Sequence, residues 1–203
     1  MISSQDALKS LREGNIRFVS GSHDKDTPGN RPGQFSPPDR QEPFAIILGC
    51  SDSRVPSEMV FDQGLGDLFV IRVAGNIVAP SQIGSVEFAT EQFGTRLVVV
   101  LGHTMCGAIQ ATLEVLQNPT EPRSKNLHSI VNRISPSLES LLETDPQEDP
   151  EILLNQAMHK NVRNSVNQLH HQSPILTKKI DEGALTVVGA EYCMESGIVN
   201  FFD

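Results

Sequence analysis

The hydrophobic positions of the chain fall into short continuous runs, separated by longer segments with helical spacing. Four segments contain apolar runs typical of strands buried on both faces. They are FAIILG (44–49), LFVIRVAG (68–75), RLVVVLG (96–102) and TVVGAEY (186–192). Helices are predicted near 82–93, from 104 to about 117, over 124–144 with an interruption at Pro136, and over 151–172. This alternation predicts an α/β fold with a mostly parallel central β-sheet flanked by helices.

The N-terminal part predicts a helix followed by an irregular segment. Residues 3–13 have helical spacing, with a capping-box-like start at Ser3 and Asp6 and an end at Gly14. Residues 21–43 are dense in proline, glycine and charge, which favours an extended arm over a buried element.

The C-terminal part predicts an antiparallel hairpin. A strand that ends at Tyr192 is followed by a turn at 195–197 and by the apolar sequence IVNFF. The length of the chain suits one compact domain, so we expect a single domain over 1–203. It comprises an N-terminal helix and extended arm (1–43) and an α/β core (44–203).

Two of the predicted strands lead into loops that carry metal ligands. Cys50 follows the first strand, and His103 and Cys106 follow the third. The carboxyl ends of parallel strands share one edge of a sheet, so these side chains can meet if the two strands are neighbours. Two thiolates and one imidazole select zinc over magnesium or calcium. Three protein ligands leave a fourth position open for water, as in catalytic zinc sites.

Asp52 and Arg54 lie in the same loop as the first cysteine. An unpaired carboxylate there would compete with water for zinc, and the planar guanidinium can hold it away with two hydrogen bonds. Asp52 would then accept the hydrogen of zinc-bound hydroxide. Taken singly, these residues fit a core cysteine, a polar strand end and a loop ion pair, whereas their combination favours a metal site. A Cys–His hydrolase that uses Cys50 and His103 is an alternative, but it leaves Cys106 and the Asp52–Arg54 pair without roles.

The composition limits the classes of partner. The 203 residues include 16 basic and 25 acidic side chains, a formal net charge of −9, which disfavours nucleic acid and anionic membranes. No segment approaches the roughly 20 apolar residues of a membrane span. The N-terminus lacks the apolar core of a secretion signal, and three cysteines do not suit a disulfide framework. We expect no nucleic-acid or membrane partner and a cytoplasmic location.

The motifs C-S-D-S-R (50–54) and H-x-x-C-G (103–107) together resemble those of the β-class carbonic anhydrases. The resemblance extends over nearly the whole chain, through ALKSLREGNIRFVSG, GDLFVIRVAGNIV, NVRNSVNQL and VVGAEY. It implies a lyase that reversibly hydrates carbon dioxide to bicarbonate and a proton through zinc-bound hydroxide. The implied cofactor is one zinc ion per chain, held by Cys50, His103 and Cys106.

The resemblance also implies roles for residues around the metal. Asp52 and Arg54 match the family's catalytic pair, and the backbone at Gly107 matches a seat for bicarbonate. Gln41 matches a glutamine that, in the plant-type branch, contacts substrate from the neighbouring subunit, and Phe69 matches an aromatic residue of the pocket. The implied assembly is a homo-oligomer of at least two chains.

One branch of the family binds bicarbonate at a second, inhibitory site, which uses a tryptophan three residues before the first cysteine ligand. Ile47 occupies that position here, and the chain contains no tryptophan. The resemblance therefore points to a plant-type-like, non-allosteric branch. Two rival functions remain open: hydrolysis of carbon disulfide or carbonyl sulfide at the same site, and a non-catalytic zinc scaffold. The Asp52–Arg54 pair argues against the scaffold.

Overall fold

A five-stranded sheet forms the centre of the computed structural model, which describes residues 2–23, 38–118, 124–142 and 149–202. The strands lie side by side in the order β2-β1-β3-β4-β5. They are β1 (Ala45–Gly49), β2 (Leu68–Arg72), β3 (Leu97–His103), β4 (Thr186–Tyr192) and β5 (Val199–Phe202). The first four are parallel, and β5 pairs antiparallel with β4. The predicted α/β class and C-terminal hairpin are confirmed.

Seven α-helices lie within the described ranges. They are α1 (Ser4–Ser20), α2 (Ser57–Val60), α3 (Pro80–Gln92), α4 (Gly107–Gln117), α5 (Lys125–Leu142), α6 (Pro150–His171) and α7 (Pro174–Asp181). A 3-10 turn, Ala74–Asn76, follows β2 and is called the glycine turn below. Among these helices, none is long and apolar enough to cross a bilayer. The sequence patterns did not predict α2 and α7.

The sheet has a hydrophobic core on each face, because successive side chains of a strand point to opposite sides. On one face, Ile47 and Val99 pack with Leu11 of α1. On the other, Ile46 and Val98 belong to a cluster that includes residues of α3, α6 and α7. Burial on both faces explains why β1 and β3 are apolar without alternation. Of these two strands, only β3 contains a polar residue, His103 at its carboxyl end, where the candidate site lies.

The N-terminal helix is longer than the sequence predicted. Ser3 caps its start, as expected, but the helix continues through Gly14 to Ser20. Gly14 does not end the helix but allows the helix to approach the Phe61 backbone closely. A Cβ atom at Gly14 would lie 1.8 Å from the Phe61 carbonyl oxygen. The helix ends at Gly21, which has φ +67° and donates its N–H to carbonyls of the last turn.

Helix α5 continues through Pro136, where an interruption was predicted. Ile134 and Leu138, on either side of the proline, are fully buried, so packing outweighs the hydrogen bond that proline removes. Most of the predicted extended arm, residues 24–37, lies outside the described residues.

Candidate metal centre

Three potential ligands meet at the carboxyl edge of the sheet. Cys50 directly follows β1, His103 is the last residue of β3, and Cys106 precedes α4. The strands are parallel neighbours, with Gly49 opposite Leu101, which brings the two loops together as predicted. The sulfur atoms and an imidazole nitrogen all lie within 4.8 Å of one another, and all three residues are buried. This donor set fits a zinc ion with one open position.

The tautomer of His103 is set by the backbone. Its Nδ1 lies 2.8 Å from the Thr104 carbonyl oxygen, which can only accept, so Nδ1 carries the proton. The other nitrogen, Nε2, then presents a free lone pair. Within the described residues, Nε2 and Asn76 Nδ2 are the buried side-chain nitrogen or oxygen atoms that lack a hydrogen-bond partner. A buried polar atom without a partner is costly, and a metal ion at the cluster would satisfy Nε2.

The two ligand cysteines titrate as a pair. The pKa of Cys50 is lowered to about 4, chiefly because the Cys106 thiol donates a hydrogen bond to its sulfur. The pKa of Cys106 is raised well above its ordinary value by that same interaction and by burial. This hydrogen bond therefore favours the thiolate form of Cys50 over that of Cys106. Metal binding needs both cysteines as thiolates, which couples metal affinity to pH.

The Asp52 carboxylate is turned toward Arg54. Arg54 Nε and Nη2 donate to the two carboxylate oxygens at 3.0 and 2.8 Å, and the Arg54 backbone N–H adds a third bond of 3.0 Å. These bonds hold the pKa of Asp52 well below its ordinary range. The fork geometry predicted from the sequence is therefore present, with the carboxylate ionised.

Two further contacts to the first ligand loop were not predicted from the sequence. The Arg72 guanidinium donates to the carbonyl oxygens of Cys50 (3.1 Å) and Asp52 (2.5 Å), fixing the backbone between them. The Gly75 N–H donates to Cys50 Sγ at 3.4 Å. A sequence signal for the second contact is the glycine three residues after the end of β2, which has φ +69°.

The three residues matched to substrate contacts lie in different places. Gly107 is the first residue of α4, next to the last ligand, and the space around its Cα is open. Phe69 lies near the amino end of β2 and contacts Phe88 and Phe93. Gln41 is exposed and precedes β1, at the edge of the sheet opposite the metal ligands. The structure therefore brings Gly107 to the cluster within one chain, but not Phe69 or Gln41.

Comparison with known proteins identifies relatives that match most of the chain. The family model described as carbonic anhydrase matches residues 45–199. Carbonic anhydrase 2 of Mycobacterium tuberculosis is 37% identical over 193 residues, which cover 94% of this chain and 89% of that protein.

Solved structures share the same fold. The β-carbonic anhydrase CcaA aligns with a TM-score of 0.74 at 25% identity, covering 80% of this chain and 81% of its own. A structure from a study of two tetrameric β-carbonic anhydrases of Sordaria macrospora has a TM-score of 0.71 at 23% identity, covering 80% and 81% of the two chains. With the ligand cluster and the family match, these likenesses show that the chain belongs to the β-class carbonic anhydrases.

Proposed function

We propose that this carbonic anhydrase uses one zinc ion, held by Cys50, His103 and Cys106, to interconvert carbon dioxide and bicarbonate. The observation that carries the proposal is the buried cluster itself, in which two sulfurs and the unpartnered His103 Nε2 lie within 4.8 Å of one another. Zinc bound there would supply a Lewis acid that activates water near neutral pH. The remaining steps depend on the residues around it.

Asp52 and Arg54 are proposed to control access to the open coordination position. Arg54 occupies both carboxylate oxygens, so Asp52 is kept from acting as a fourth ligand. Ionised Asp52 accepts hydrogen bonds and can orient the attacking water. Arg72 supports this arrangement by fixing the carbonyls of Cys50 and Asp52.

The substrate contacts are proposed from the family resemblance. Gly107 begins α4, where backbone N–H groups lack helical partners and can donate to a bicarbonate oxygen. Phe69 and Gln41 lie away from the cluster in their own chain. We propose that Gln41 serves the site of a neighbouring subunit and that Phe69 contributes to the apolar pocket there.

The distance of Gln41 and Phe69 from the cluster of their own chain supports an assembly of at least two chains. Exposed hydrophobic side chains, including Ile16 and Met59, offer surface that a second copy can bury.

Within each chain we propose one domain over 1–203, because a single sheet joins residues 45 to 202. The predicted cytoplasmic location stays a prediction.

We also propose that the protein belongs to the plant-type-like, non-allosteric branch. Ile47 is fully buried in the core and offers no hydrogen-bond donor at the position where the other branch has tryptophan. Arg72 matches an arginine that takes part in the second bicarbonate site of the other branch, but here it donates to two backbone carbonyls.

Metal analysis of matched cysteine variants tests the site. Wild-type protein should contain about one zinc per chain, as expected for a single Cys₂His set. Cys50→Ser and His103→Ala should lose most of the zinc and the activity. Cys193→Ser removes the cysteine outside the cluster and should keep both. Zinc retained by Cys50→Ser and His103→Ala at the wild-type level would contradict the assignment.

A further inference from the structure

The glycine turn is anchored from behind by two buried side chains of α6. Asn161 Nδ2 donates to the Gly75 carbonyl oxygen at 2.8 Å, and Ser165 Oγ donates to the Asn76 carbonyl oxygen at 3.0 Å. Asn161 and Ser165 are each 1% exposed. They are four residues apart, so they lie on the same side of the helix. Two consecutive carbonyl groups of the turn are thus held by one helix.

The N–H group of the same turn contacts a metal ligand. Gly75 N–H donates to Cys50 Sγ at 3.4 Å. Gly75 has φ +69° and ψ 20°, a conformation that glycine adopts readily. A Cβ atom at Gly75 would lie 2.8 Å from Ile134 Cδ1 and 3.1 Å from Ala108 Cβ, so the turn is tightly enclosed. The Gly75 N–H and carbonyl groups flank the same Cα, so a fixed carbonyl helps to fix the direction of the N–H.

A hydrogen bond to a thiolate withdraws electron density from sulfur. The sulfur then donates less charge to a bound metal, which leaves that metal a stronger Lewis acid. Groups that orient and tune metal ligands in this way typically affect metal affinity or activity by about 10- to 100-fold. Thiolate ligands donate more charge to a metal than neutral imidazoles do. A hydrogen bond that reduces the charge donated by one of the two thiolates should therefore have a large effect at this site.

We propose that Asn161, supported by Ser165, is a positioning residue for the metal centre. It holds the Gly75 N–H against the Cys50 sulfur and thereby sets the charge that this ligand donates to the metal. Neither side chain is among the metal ligands or the residues assigned to substrate. The inference rests on the zinc site of the proposed function, and its test separates the two claims.

Cobalt substitution gives a direct readout of sulfur donation. In the cobalt-loaded protein, Asn161→Ala should move the sulfur-to-cobalt charge-transfer band to longer wavelength, because the Cys50 sulfur loses its hydrogen bond. With zinc, kcat/KM should fall about 10-fold at unchanged zinc content. Ser165→Ala should shift the band in the same direction by a smaller amount. Asn164→Ala, on the same helix at a partly exposed position, is the matched control and should leave band and rate unchanged.

The inference is overturned if folded Asn161→Ala and Asn164→Ala have the same charge-transfer band. If Asn161→Ala does not fold, the test rests on the charge-transfer band of Ser165→Ala and on a measurement with the wild-type protein. With ¹¹³Cd at the site, the wild-type Gly75 amide proton should show through-bond coupling to cadmium, and its absence overturns the inference. A wild-type protein that takes up no metal at the cluster contradicts the proposed function itself. An unchanged band in a metal-loaded variant contradicts only the role of Asn161.

Discussion

Arg54 holds the Asp52 carboxylate, beside the metal ligands, in hydrogen bonds. Its fork binds both oxygens of Asp52, and the pKa of that carboxyl lies well below the ordinary value of 3.8. Because the pKa of Asp52 is lower in the folded than in the unfolded state, its ionisation stabilises the fold at any pH above the unfolded-state pKa. This stabilisation is lost only as the pH falls through the folded-state pKa. From about pH 6 to 9, Asp52 therefore stays ionised and the pair keeps one charge state.

We expect Arg54→Ala to retain zinc and lose activity, by about 100-fold in kcat/KM. Without the fork, Asp52 is free to compete for the open coordination position. Arg54→Lys keeps the charge but cannot make both bonds, so its loss should be intermediate. Stopped-flow rates at equal zinc content measure the effect, and Arg96→Ala, at an exposed position just before β3, is the control. Wild-type rates in Arg54→Ala would show that the pair is dispensable.

Ile47 determines the expected response to bicarbonate. An aliphatic side chain cannot donate a hydrogen bond, and each unmade bond to a buried anion costs about 1–3 kcal/mol. We therefore expect ordinary product inhibition without cooperativity as bicarbonate rises at constant pH and ionic strength. Initial rates measured against chloride-balanced controls check this. A steep, cooperative loss of activity would reveal a second site and refute the branch assignment.

The residues of the cluster were predictable because they lie at or just after the ends of predicted strands. The residues that support the cluster were not predictable. Cys50 and His103 could be placed at one sheet edge from the order of apolar runs alone. Asn161 bonds to Gly75 across 86 positions of sequence, and no local pattern encodes that contact. Its only sequence signal is a polar residue next to the apolar side of a helix, four positions before Ser165.

At the level of elements, α6 packs directly against the sheet. Gly102 of β3 and Gly189 of β4 make this approach possible, since Cβ atoms there would lie 2.5 and 3.0 Å from the Val162 side chain of α6. The same helix carries Asn161, so the approach of α6 also sets the position of the glycine turn.

We expect Gly102→Ala to destabilise the protein by about 1–3 kcal/mol. The new methyl group would lie 2.5 Å from Val162 Cγ2 and 2.8 Å from Met158 Sδ of α6. Gly84→Ala is the control, because it lies inside α3 with open space around it and should stabilise by about 0.5–1 kcal/mol. Urea unfolding at one protein concentration gives both changes. Equal stability of Gly102→Ala and wild type would contradict the close packing of α6.

Element boundaries were less predictable than element types. The apolar strands and the long helices were foreseen, because burial on both faces and helical spacing are strong local signals. The extension of α1 through Gly14 depends on its contact with Phe61, and α5 tolerates Pro136 because Ile134 and Leu138 are buried. Such tertiary contacts override the local preferences of glycine and proline.

For the whole molecule, we predict an assembly of at least two chains. Gln41 lies at the sheet edge opposite its own metal ligands, and large side chains such as Ile16 (66% exposed) and Met59 (63% exposed) remain uncovered in one chain. Light scattering should give a mass of at least twice the 22.2 kDa of one chain. A stable monomer with full activity would exclude a contribution from a neighbouring subunit.

Carbon dioxide hydration by zinc-quantified protein tests the central claim most directly. In stopped-flow measurements, the rate above buffer should rise in proportion to zinc content and reach its maximum at about one zinc per chain. Removal of zinc by a chelator should abolish the rate, and added zinc should restore it. A fully zinc-loaded, folded protein that hydrates carbon dioxide no faster than buffer, or a zinc-free protein that is equally active, would contradict the account.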